Sequence, residues 1–81
     1  MTQINQNNSK NWVEVVDLKA IGAILRTQRK QMKLTQSDVA GLCNVGTRFI
    51  SELENGKPTM HFDKVLKVLS RFGFTFGIRK R

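Results

Sequence analysis

The run from Gly46 to Glu52, GTRFISE, sets a guanidinium on Arg48, hydroxyls on Thr47 and Ser51, a ring on Phe49 and a carboxylate on Glu52. These groups suit hydrogen bonding and packing against base edges better than making or breaking bonds. Arg48 could bond guanine O6 and N7 or a phosphate, Phe49 could pack on a thymine methyl, and Glu52 could accept from cytosine N4. Gln36 falls at the start of the preceding predicted helix, where free backbone donors suit a phosphate oxygen. Gly46, having no side chain, permits close approach. For Phe49 three uses stay open: core packing, a dimer contact or a base contact.

Other chemistry finds little support in the residues. Ser9, Ser37, Ser51 and Ser70 have a single histidine, His61, to share as a base, and Cys43 falls on an apolar face. His61 has no Cys or carboxylate at ligand spacing, so a surface or capping role is expected and no metal site is assigned. No phosphate-cradling glycine loop is present. No catalytic residue and no cofactor are therefore assigned. Arg29 and Glu54 read as a structural ion pair tying one helix to another.

Those groups need elements to hold them. Asp17 is a candidate N-cap, and Leu18, Ile21, Leu25 and Met32 recur at helical spacing, which predicts a first helix over about 18–32 with Lys19, Arg26, Lys30 and Lys33 outside. Thr35 caps a second over 36–43, with Val39 and Cys43 inward. Asn44 stands where the chain must turn, a position that tolerates left-handed backbone best with Asn or Gly. A third helix, about 46–54, turns Val45, Ile50 and Leu53 inward and ends at Asn55, Gly56 and Pro58. A fourth, about 61–72, buries Phe62, Val65, Leu66, Leu69 and Phe72 and stops at Gly73. Phe74, Thr75, Phe76, Gly77 and Ile78 alternate with period two and predict a strand. That strand must find a partner, either Val13–Val16 or the same strand of a second subunit.

Eighty-one residues allow one small domain. Residues 1–11, amide-rich and poor in apolar groups, read as a disordered polar arm; 12–73 form the domain, and 74–81 a dimerisation strand with a basic tail. One cysteine fits a reducing compartment, and no apolar run approaches the roughly 20 residues of a membrane span, so a cytoplasmic, nucleoid-associated protein is expected. Fourteen Lys and Arg against six Asp and Glu, a formal charge of +8, call for a polyanionic partner.

Leu34, Thr35, Gln36, Ala40, Val45, Ile50, Ser51, Glu54, Asn55 and Gly56 resemble the xenobiotic-response-element (XRE) or Cro/repressor helix-turn-helix family, over roughly residues 18–73. The segment VGTRFISELENGKPT, Val45 to Thr59, further resembles its HipB-type antitoxin branch, small repressors encoded beside a HipA-type kinase toxin. The resemblance implies DNA contacts from Gln36, Thr47, Arg48 and Glu52, backbone contacts from Asn55 and Lys57, a structural pair of Arg29 with Glu54, and a C-terminal strand pairing across a dimer. Asn44 and Phe49 depart from the pattern, which has glycine in the turn and a small polar residue at 49.

The expectation is thus an all-α, lambda-repressor-like bundle of four to five helices, dimerised through residues 74–78. It would bind a palindromic double-stranded DNA operator and repress its own toxin–antitoxin operon. Two alternatives stand beside it: a free-standing repressor without a toxin, and a module that inhibits a kinase through Leu42, Trp12 or the basic surface, with DNA secondary.

Overall fold

The computed structural model describes residues 2–6, 11–59 and 61–80. Their order is β1 (Thr2–Gln6), β2 (Val13–Glu14), α1 (Leu18–Gln31), α2 (Gln36–Cys43), α3 (Thr47–Glu54), α4 (Phe62–Arg71) and β3 (Phe74–Ile78). The four predicted helices form within a residue or so of the expected bounds. Asp17 caps α1 by accepting from the Ala20 amide at 2.9 Å, as its sequence position implied.

The first correction concerns fold class: a three-stranded antiparallel sheet, ordered β2-β1-β3, accompanies the helices, so the domain is mixed rather than all-α. The second concerns the amide-rich arm. Residues 2–6 are a strand, paired with β3 along its whole length from Thr2↔Ile78 to Gln6↔Phe74. Composition pointed to disorder because amide side chains offer little apolar surface to bury, but strand pairing satisfies backbone groups whatever the side chains are. Ile4 supplies the anchor, 1% exposed against the core. The arm's other expected residues, Met1 and 7–10, lie outside the described residues.

This also corrects the partner of the C-terminal strand. Within the chain it is β1, while β2 takes β1's opposite edge through Gln3↔Glu14 and Ile4↔Val13. Among the described residues β3 is left as an edge strand, and Phe74 and Phe76 pack against the same core as the helices.

The core gathers Ile4 and Val15 from the sheet side, Ile21 and Leu25 from α1, Val39, Ala40 and Cys43 from α2, Ile50 and Leu53 from α3, and Val65, Val68 and Leu69 from α4. Met32, expected inside, is exposed, because α1 ends at Gln31 and the chain leaves it through Lys33 at φ 59°. On α4 the buried stripe is rotated towards Val68. Phe62 and Leu66 are consequently part-exposed, and Phe62 meets Phe76 edge to face at 5.3 Å between centroids.

Candidate nucleic-acid interface

The geometry begins with the turn between α2 and α3. Thr35 and Asp38 close a reciprocal capping box at the head of α2: the Asp38 amide donates to Thr35 Oγ1 at 3.0 Å and the Thr35 amide to Asp38 Oδ2 at 2.8 Å. At the other end Asn44 adopts φ 55°, ψ 49°, the left-handed conformation foreseen for it. The Val45 amide then returns to the Ala40 carbonyl at 3.0 Å. This sharp reversal aims the next helix across the previous one.

Two glycines set how α3 lies on α1. A Cβ on Gly22 would come within 2.1 Å of the Leu53 carbonyl oxygen, so α1 and the last turn of α3 meet backbone to backbone. Gly56 has φ +73°, and a Cβ there would stand 2.6 Å from the Lys19 Cα; glycine is required on both counts. Gly22 was not legible in the sequence as a packing device, because a lone glycine inside a helix marks close approach only once the crossing partner is known.

The predicted pair of Arg29 and Glu54 is present and bidentate: Nε to Oε2 at 2.6 Å and Nη2 to Oε1 at 3.0 Å, with Nη1 donating to the Leu34 carbonyl at 2.8 Å. Side-chain exposures of 12% and 4% make it a buried tie between the end of α1 and the end of α3. The bonds to Glu54 outweigh desolvation and hold the Arg29 guanidinium above its usual range. Gln36 Nε2 also donates to Glu54 Oε1, at 3.2 Å. The Gln36 amide nitrogen is thereby directed into this buried cluster, whereas the phosphate contact expected there rests on the backbone donors at the head of α2.

The outer side of α3 carries the remaining candidates. Gly46 provides no side-chain cap, and space is open on its Cα. Thr47 and Arg48 project from that end, the Arg48 side chain 88% exposed. Ser51 and Glu52 follow one turn on, both half-buried, and Asn55 caps the end of the helix exposed to solvent. Glu52 is engaged on both oxygens, by Lys57 Nζ at 2.6 Å and Arg48 Nε at 3.4 Å. The hydrogen bond from Lys57, then the charges of Lys57 and Arg48, hold its carboxyl below the usual carboxylate range.

For Phe49 the structure favours the first of the three open uses. It is half-buried against the core, and the Lys64 ammonium lies 5.8 Å from its ring centroid. Arg48, Phe49, Glu52, Lys57, Thr59 and Lys64 share a cleft of about 260 Å³ between α3 and the start of α4. Lys64 was foreseen only as an exposed helix residue; its place beside the outer face of α3 comes from how α4 packs. His61, also on this cleft, stands at the N-cap of α4 without a side-chain cap bond, and its amide donates to Thr59 Oγ1. The dimerisation candidates lie away from this face, with Phe74 and Phe76 turned inward, Thr75 and Ile78 exposed, and Gly77 beneath the Trp12 ring.

A capped helix, a left-handed turn and a second helix with its polar face outward define a helix-turn-helix protein, and the chain belongs to that family, whose model matches residues 25–78. It is 48% identical over 58 residues to an uncharacterized HTH-type transcriptional regulator, y4mF, of Sinorhizobium fredii (strain NBRC 101917 / NGR234). That match spans 72% of this chain and 76% of the relative. The strands β1 and β2 lie outside the family match.

Proposed function

We propose that the chain is a sequence-specific DNA-binding transcriptional repressor that reads its operator with α3. The observation that carries this is Arg48: a guanidinium almost wholly exposed, at the open end of a helix whose other end is fastened by Arg29 and Glu54. Helix-turn-helix proteins push that end of the second helix into a major groove about 12 Å wide. In this reading Thr47, Arg48 and Ser51 face bases, Glu52 stands among them paired with Lys57 and Arg48, Asn55 and Lys57 lie along the phosphates, and Gly46 lets backbone amides come close. Phe49 supports α3 from beneath.

A palindromic operator would require two copies of the chain, with their reading helices about 34 Å apart. The support is the edge position of β3, whose second side can add the same strand of another copy. Repression follows from occupancy alone, since bound protein obstructs polymerase without any bond chemistry.

The finer reading is a HipB-type antitoxin, autorepressing an operon it shares with a HipA-type kinase. Its support is the run from Val45 to Thr59. A free-standing repressor of the same fold is the alternative if the neighbouring gene encodes no kinase. Leu42, 60% exposed beside Met32 over a notch floored by Val39 and Cys43, favours an additional protein-contact role on the opposite side of α2.

A footprint over the chain's own promoter at graded salt tests the proposal. With about 6 to 10 phosphates contacted, affinity falls roughly 10³- to 10⁵-fold between about 50 and 200 mM salt. A flat response removes the DNA reading. Repeating the footprint with the neighbouring gene product, and a pull-down with it in high salt, separates the antitoxin from the free-standing repressor.

A further inference from the structure

Glu52 places a negative charge on the surface where Arg48 and Lys57 are offered to a polyanion. A reader of cytosine N4 needs a carboxylate oxygen to spare. Here Lys57 Nζ holds Oε2 at 2.6 Å and Arg48 Nε stands 3.4 Å from Oε1, so the carboxylate is already turned towards two cations. Lys57 is bound to the same residue a second time, through its amide and the Glu52 carbonyl at 3.0 Å. The loop after α3 is therefore folded back on Glu52 by main chain and side chain together, and the carboxylate, about one-third exposed, sits between two cations.

We infer that Glu52 is a positioning and selectivity residue for duplex binding, one that restrains Lys57 and Arg48 on α3 and disfavours any site that does not supply acceptors for both. The inference rests on the DNA-binding reading. On a random duplex the phosphates must draw the two cations away from a carboxylate that also repels the backbone. On the operator, base and phosphate acceptors together replace it. The ion pairs are part-exposed and screened by salt, so they can exchange partners rather than lock. Glu52 thus acts through Arg48 and Lys57, lowering loose affinity more than specific affinity.

The test compares the wild-type chain with E52Q on the chain's own promoter and on a scrambled duplex of equal length, across a salt series. E52Q is expected to bind the scrambled duplex several-fold tighter and to narrow the ratio between the two. The salt slope on the scrambled duplex should steepen by about 0.9 for each phosphate newly engaged, a change that a merely structural residue would not produce. Adding K57M to E52Q should remove much of the gain. Weaker promoter binding with scrambled binding unchanged would make Glu52 a base reader, and an unchanged ratio would give it no role; either overturns the inference. Carboxyl NMR on free protein checks the tether without DNA: the Glu52 titration should move up towards the ordinary range in K57M, and no movement overturns the tether. Absence of salt-dependent binding by the wild type would remove the DNA reading itself, and the inference with it.

Discussion

Arg48 and Arg29 are the same residue type put to opposite uses by their surroundings. Arg48 has water on nearly every side and one weak partner in Glu52, so its donors are available to a ligand. Arg48→Ala is expected to cost about 1–3 kcal/mol on the preferred operator and much less on other sequences, measured by competition binding. Equal losses on every duplex would reassign it to phosphate. Arg29 is spent on the fold, with three of its donors on Glu54 and Leu34. Arg29→Met should destabilise the domain by about 3–5 kcal/mol, because Glu54 would remain buried with Gln36 as its one side-chain donor among the described residues. A lowered denaturant midpoint at unchanged slope would register it. The Arg29–Glu54 partnership was legible from residue types and helical position, whereas the Gln36 bond to the same carboxylate was not, since nothing local distinguishes an amide facing inward from one facing a phosphate.

At the scale of elements, the head of α2 is pH-sensitive in a definite direction. The Thr35 amide and then the Thr35 hydroxyl hold the Asp38 carboxyl below its ordinary range. A carboxylate depressed on folding stabilises the fold above its unfolded value of about 3.9, and that contribution disappears as pH falls through the lower folded value. Amide exchange in α2 should therefore be independent of pH from neutrality down to about 4, after correction for intrinsic rates, and accelerate below it. Asp38→Asn should abolish that acid-side dependence. Thr35→Ala, which removes the cap acceptor, should cost about 1 kcal/mol. Helix α4 illustrates the limit of periodicity. Spacing alone admits a face centred on Phe62 and Leu66, but the face that packs into the core includes Val68, while Phe62 meets Phe76 of the sheet at the margin.

For the whole molecule, the exposed edge of β3 is the feature with the largest consequence. Ile78 lies on that edge, 82% exposed. Ile78→Lys places a charge where a second β3 would pair, a common means of blocking edge association. The wild-type chain is expected to scatter light as a dimer and the variant as a monomer with helical content unchanged. Operator affinity should then fall despite the added cation, since the second half-site no longer contributes. A variant that stays dimeric would place the interface elsewhere, and the Leu42 and Met32 surface would be the next to test.

The amino-acid sequence by itself determined the helices, their caps and the helix-turn-helix arrangement of α2 and α3. Those depend on contacts within a few residues: Asp17 and Thr35 at helix heads, Asn44 in the turn, the apolar spacing of Ile50 and Leu53. Only the tertiary structure decided the sheet, because the partner of β3 lies some seventy positions away at the other terminus, in a segment whose side chains give no sign of order. It likewise decided that Phe49 packs against the core, that Lys64 lies over its ring, and that the Glu52 carboxylate is paired with Lys57. The physical reason is the same throughout. Local backbone preferences are written in neighbouring residues, while the pairing of distant strands and charges is settled by which surfaces the packed helices bring together.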